Sequence, residues 1–223
     1  MIRALVFDFD GLILDTETSL IDAYGEIHRK RNMPFDRAKF TRRVGTAAGQ
    51  AFDPWKAFGA TAPRADLEAE MQRLSLERLA QQQILPGVVE LLTEARQRGL
   101  RLAVASNSTR EHVVGHLKRL GLFEKFEFFA CHEDVTEAKP APDLYLLVLE
   151  NFRLRGEEML ALEDSATGIA AARAAGLWCV AVPNESTREH DFSEAHLLVE
   201  SLAGQTLGSL FAGLRMGARG GKP

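Results

Sequence analysis

The chain has 223 residues, 46% hydrophobic and 26% charged, with a formal net charge of −4. Such a make-up suits a globular protein with one full domain and a smaller insertion. It excludes a nucleic-acid footprint, a membrane-spanning helix and a signal peptide's apolar core, and leaves Arg42-Arg43 as solvated surface.

The first apolar run is Leu5-Val6-Phe7, extended upstream by Ile2, and it stops abruptly at Asp8. From Thr16 to Gln83 no strand run occurs, and Ala65 to Gln82 reads as one amphipathic helix carrying Leu67, Met71, Leu74 and Leu79. Pro86-Gly87 then opens a helix in which Val88, Leu91, Leu92 and Ala95 recur at helical spacing, and Gly99 closes it. A strand run from Arg101 to Ala105 follows, then a helical stretch from His112 to Leu120 that ends at Gly121. Further strand runs span Phe126–Ala130, Met159–Leu162 and Trp178–Val182, separated by helical stretches Leu144–Phe152 and Gly168–Ala175. Short apolar strands alternating with helices predict βαβ units, hence an α/β, Rossmann-like three-layer fold with a parallel sheet and right-handed crossovers. The expected organisation is a core of residues 1–15 and 84–215, an inserted α-helical module of residues 16–83, and a flexible tail, 216–223.

In a parallel sheet every strand ends on the same edge, where ligands bind. The residues just past the runs therefore matter most. They are Asp8, Phe9, Asp10 and Gly11 after the first, Ser106, Asn107, Ser108 and Thr109 after the second, and Glu163-Asp164-Ser165 after the fourth. Beyond the third run comes Lys139-Pro140-Ala141-Pro142-Asp143. Asp8, Asp10, Glu163 and Asp164 place like charges in one cleft, and one lysine cannot compensate them. A hard divalent cation can, and an all-oxygen site with room for water and phosphate suits Mg²⁺. Ser106, Asn107 and Asp164 also fit helix capping, a role compatible with chemistry for Ser106.

These motifs resemble those of the haloacid dehalogenase-like superfamily. Phe7-Asp8-Phe9-Asp10-Gly11 looks like its nucleophile motif, Ser106-Asn107 its second, Lys139 to Asp143 its third, and Leu162 to Gly168 its fourth. DxD alone is weak, but four ordered motifs across nearly the whole chain are specific. The resemblance implies a Rossmann-like core with a helical cap inserted after the first motif. It implies that Asp8 attacks phosphorus and becomes an aspartyl phosphate, while Asp10 protonates the leaving oxygen and later takes a proton from water. Ser106 and the Asn107 backbone N–H would hold phosphoryl oxygens, with Gly11 beside them, and Lys139 would neutralise developing charge. Asp8, the Asp10 carbonyl, Asp164 and, directly or through water, Glu163 would bind Mg²⁺.

The expected activity is hydrolysis of a small phosphorylated metabolite, by a cytoplasmic monomer. The nearest rivals are β-phosphoglucomutase-like sugar-phosphate mutases, which carry a histidine where this chain has Leu20 and an arginine shortly after a cap-loop glycine. Here Gly45 is followed by Thr46-Ala47-Ala48. Metal-free dehalogenase chemistry leaves Asp10 and the Glu163-Asp164 pair unexplained. A phosphate-accepting signalling module places its acceptor on an inner strand and lacks a large insertion, and an inactive interaction domain leaves four intact motifs without a use. Arg43, Gly45 and Thr46 resemble the family's substrate-specificity loop, while Trp55 and Phe58 read as core of the helical module. His112 and His116, one helical turn apart, read as a polar surface pair because no third metal ligand accompanies them. Cys131 and Cys179 form no CxxC pair and follow apolar stretches, as buried thiols do in a reducing compartment.

Overall fold

The computed structural model describes residues 1–41, 53–59 and 62–220, and the chain divides into two compact units. One comprises Met1–Leu14, Ile84–Asn184 and His190–Pro223. Its centre is a six-stranded sheet of β1 (Ala4–Phe7), β2 (Arg101–Ala105), β3 (Phe128–Ala130), β4 (Met159–Glu163), β5 (Trp178–Ala181) and β6 (Leu197–Leu198). All pairings are parallel, and the order is β3-β2-β1-β4-β5-β6. The order reverses between β1 and β4, the point where open α/β sheets leave a crevice beyond their carboxyl ends.

Because strand side chains alternate, each strand feeds two layers. Ala4, Val6, Ala103, Ala105, Met159 and Ala161 are buried in one cluster with Tyr145, Val148 and Phe152 of α6 (Asp143–Phe152) and Ile169, Ala171 and Ala172 of α7 (Ala166–Ala174). The alternate residues, Leu5, Phe7, Leu102, Val104 and Leu160, are buried too. Helix α4 (Val88–Gln97) packs on β2 and on α8 (Leu207–Gly220), which also meets β6. Burial on both faces makes these strands read as unbroken apolar runs. Residues 216–220, expected in a flexible tail, continue α8, a helix anchored upstream by buried Leu207, Leu210 and Leu214.

The chain leaves this unit at Leu14 and re-enters it at Ile84, which pairs with Leu14 in an antiparallel bridge. The other unit comprises Asp15–Gln83 and Glu185–Glu189. Its described regular structure is helical: α1 (Thr16–Lys30), α2 (Arg37–Thr41) and α3 (Arg64–Leu79), with a 3₁₀ turn at Lys56–Phe58. Asp15 caps α1 by accepting from Thr18 N at 3.0 Å. Ala23, Ile27, Trp55, Phe58, Leu67 and Leu74 form its core, so Trp55 and Phe58 pack inward as expected. Ion pairs from Arg31 to Glu70 at 2.6 Å and from Arg78 to Glu26 at 2.5 Å tie α1 to α3. Ser186 bonds Glu17, seating the short 185–189 segment in this unit. Among the described residues no helix is long and apolar enough to cross a membrane.

Candidate active site

Strand β1 ends at Phe7, but its ladder runs one step further, since Asp8 N donates to Leu162 O at 3.0 Å. That bond delivers the Asp8 side chain to the carboxyl edge of the sheet, beside Glu163 and Asp164 at the end of neighbouring β4. Lys139 comes from the loop before α6. Its ammonium donates to Asp8 Oδ1 at 2.6 Å, Glu163 Oε1 at 2.7 Å and Ala105 O at 2.7 Å. Three acceptors match the three N–H groups of a lysine, which lets its charge lie buried. Asn107 fixes the Lys139 backbone, accepting from Lys139 N at 2.9 Å and donating to Lys139 O at 3.2 Å. This side-chain role adds to the backbone one expected of Asn107.

Burial dominates the electrostatics. It pushes the Asp8 carboxyl up to about 8, against the pull of Lys139 and with help from Glu163 and Asp10. Burial draws the Lys139 ammonium the other way, but the Asp8 and Glu163 carboxylates outweigh it and hold the pKa above its usual value. Tyr145, buried in α6, donates its hydroxyl to Glu163 Oε1, and its ring lies 5.2 Å from Lys139 Nζ. Burial and then the Glu163 charge keep that phenol protonated far above its normal range.

Asp8, Glu163 and Asp164 offer carboxylate oxygens that all lie within 4.8 Å of one another. Three carboxylates against one ammonium leave an excess of negative charge, and buried Glu163 Oε2 has no hydrogen-bond partner. An all-oxygen donor set with an unsatisfied buried oxygen fits a hard divalent cation. Asn184, beyond β5, donates to Asp164 Oδ2 at 2.7 Å and to Gly11 O at 3.0 Å. Gly11 has φ of +80°, and a Cβ there would lie 2.3 Å from Asp164 Oδ2. Only glycine therefore gives the turn both its conformation and its closeness to Asp164.

Asp10 meets the segment that follows β2. Its Oδ2 accepts from Ser108 Oγ at 2.6 Å and Ser106 Oγ at 3.2 Å, and its Oδ1 meets His112 Nε2 at 3.1 Å. The expectation of a polar surface pair at His112 and His116 is corrected here. Both are half-buried, and the His116 ring lies stacked 6.3 Å from that of Phe9, whose side chain is fully buried. The helix-face spacing was visible in sequence, but the partner, 102 residues away, was not.

Asp8, Asp10, Ser106, Asn107, Lys139, Glu163, Asp164 and Gly11 thus gather at one sheet edge in the first unit. Arg43, Gly45 and Thr46 lie outside the described residues. Tyr145, Asn184 and His112 are polar neighbours that sequence reading did not assign to the site, and Ser108, named there only by its place after a strand, binds Asp10. A tyrosine on an otherwise apolar helix face was the one local signal, because a buried hydroxyl needs a partner.

A family model described as haloacid dehalogenase-like hydrolase matches residues 2–176. The candidate phosphatase YhcW of Bacillus subtilis (strain 168) is 39% identical over 214 residues, which cover 94% of this chain and 96% of that protein. A crystal structure of a CbbY variant from Rhodobacter sphaeroides in complex with xylulose-(1,5)-bisphosphate aligns with a TM-score of 0.73 and 30% identity, covering 96% of this chain and 99% of that one. Beta-phosphoglucomutase of Bacillus subtilis (strain 168) is 26% identical, covering 81% of this chain and 83% of that protein.

Proposed function

The chain belongs to the haloacid dehalogenase-like hydrolases, and from that membership we propose a Mg²⁺-dependent phosphatase that hydrolyses small phosphorylated carbohydrates through an aspartyl phosphate on Asp8. The observation that carries this reading is the buried Asp8 carboxylate, held 2.6 Å from Lys139 Nζ beside two further acids. An isolated buried carboxylate is costly, so its retention beside a cation and a cluster of oxygen donors points to use.

Asp8, Asp164, Glu163 and the Asp10 carbonyl would hold the ion. When bound, Mg²⁺ supplies positive charge that keeps Asp8 ionised and shields an incoming phosphate from the carboxylates. A carboxylate oxygen of Asp8 attacks phosphorus, and the ester P–O bond breaks as the Asp8–phosphate bond forms. Asp10 gives its proton to the departing oxygen. Water then attacks the same phosphorus, Asp10 takes that water's proton, and the Asp8–phosphate bond breaks to release inorganic phosphate. Ser106, the Asn107 N–H and Lys139 hold phosphoryl oxygens throughout, so positioning and charge do most of the work.

The bisphosphorylated sugar bound by the CbbY relative supports a phosphorylated carbohydrate as substrate. Mutase chemistry has less support, since Leu20 supplies no titratable nitrogen where those enzymes carry a histidine. We place the reaction in the cytoplasm, in a monomer with the helical module acting as a cap. Phosphate release is to be measured over a panel of phosphorylated metabolites, with Mg²⁺ and with EDTA, beside Asp8→Asn. Mg²⁺-dependent release that the variant lacks is the expected result. Full release by a folded Asp8→Asn variant would falsify the nucleophile assignment.

A further inference from the structure

We propose that His112 is a positioning residue that orients Asp10 for proton transfer, an inference that rests on the acid–base role assigned to Asp10 above. An aspartate on a loop has two free side-chain torsions, and the Asp10 side chain is 25% exposed, so packing alone does not fix its carboxylate. The geometry supplies donors instead. Ser108 holds Oδ2 at 2.6 Å and His112 Nε2 lies 3.1 Å from Oδ1, so both oxygens are tied from one short segment. Once Asp10 has given up its proton its carboxylate only accepts, and His112 can then donate to it from Nε2.

The His112 ring is itself held. Thr109 caps α5 (Arg110–Arg119) by accepting from His112 N at 3.3 Å, which sets the histidine on the helix's first turn. The ring stands edge-on to Phe9, 5.6 Å between centroids and 89° between planes, and 4.8 Å from the His116 ring one turn on. Phe9 is fully buried, so the stack is anchored in the core of the sheet unit. A rigid imidazole aimed at one oxygen of Asp10 specifies the plane in which that carboxylate faces a leaving group or a water. Misplacing such a group by about 1 Å can cost about a hundredfold in rate.

The test uses the Mg²⁺-loaded enzyme with an alkyl phosphate, whose leaving oxygen needs a proton, and p-nitrophenyl phosphate, whose leaving oxygen does not. His112→Phe keeps the ring packing and removes the donor; His112→Gln keeps an Nε2–H donor near the same place. The expected result for His112→Phe is an unchanged Tm, a KM within about threefold and a kcat lowered about 10- to 100-fold on the alkyl ester. Its kcat/KM loss should be smaller on the aryl ester, and His112→Gln should recover most of the activity. In an Asp10→Asn background, His112→Phe should cost nothing more. An unchanged kcat in His112→Phe, equal kcat/KM losses on both esters, or a full additional loss in the Asp10→Asn background would each overturn the proposal. If Asp10→Asn alone keeps full activity, the acid–base reading of Asp10 has failed instead, and His112 has no proton transfer to orient.

Discussion

Lys139 and Glu163 form a fully enclosed ion pair: Nζ and Oε1 are 2.7 Å apart, with 3% and 0% of their side chains exposed. The same ammonium binds Asp8, so a single positive charge supports two buried carboxyl groups. Removing one member of a buried pair leaves the others uncompensated, at about 3–5 kcal/mol. Lys139→Met should therefore lower the unfolding free energy by that order in EDTA, read by urea denaturation, and should reduce phosphate release by more than about a hundredfold. Adding Glu163→Gln should recover part of the stability and none of the activity. A Lys139→Met protein as stable as the parent would show that the pair is not energetically coupled.

Gly168, on the first turn of α7, sits against the same carboxylate. A Cβ at position 168 would lie 1.9 Å from Glu163 Oε2 and 2.1 Å from its Cδ. Glu163 has little freedom to retreat, because Lys139 and Tyr145 both hold Oε1. Overpacking at such a point costs about 1–3 kcal/mol or more. Gly168→Ala should lower the melting temperature measurably, and less so when Glu163→Asp withdraws the carboxylate by one methylene. Equal losses in the two backgrounds would place the strain elsewhere.

Strand ends were legible because of how this sheet is built. Strands buried on both faces read as continuous apolar runs, so the polar residue that stops each run marks the carboxyl edge of the sheet, as Asp8, Ser106 and Glu163 do. The two-residue strand Leu197–Leu198 has no such run, and sequence reading assigned neither it nor α8. Site neighbours were illegible for a different reason. Tyr145 looks like one more apolar-face residue of a helix, and His112 like a surface histidine, until the fold brings Glu163 and Asp10 to them. The lone tyrosine hinted at a buried partner, but which residue it meets, and that His112 meets one 102 residues away, left no local pattern.

Asn184 makes such a contact, donating to Asp164 Oδ2 at 2.7 Å while its second N–H is committed to Gly11 O at 3.0 Å. An outer residue that orients a ligating carboxylate typically contributes about 10- to 100-fold in metal affinity. Asn184→Ala should weaken Mg²⁺ binding by that factor, seen as a rightward shift of the Mg²⁺ concentration that raises the melting temperature. The melting temperature in EDTA should change far less. An unshifted titration would remove Asn184 from the cation site.

Stability against pH should depend on a histidine remote from the chemistry. His196 accepts from Cys179 N through Nδ1 at 3.0 Å, and its ring lies 4.5 Å from that of Trp178. Burial, then the nearby Arg173 guanidinium, lower its pKa from 6.5 to about 4. The unfolded chain thus takes up a proton below about pH 6.5 that the folded chain refuses until about pH 4. Stability from this group is complete above pH 6.5, declines as the pH falls through that window, and levels off below it. Urea unfolding at intervals from pH 7 to 4.5 should show a steeper decline in the parent than in His196→Gln, which has no proton to gain. Arg173→Gln should lie between them, because it removes the charge and leaves the burial. Parallel curves for all three would mean that His196 titrates alike in the folded and unfolded chains.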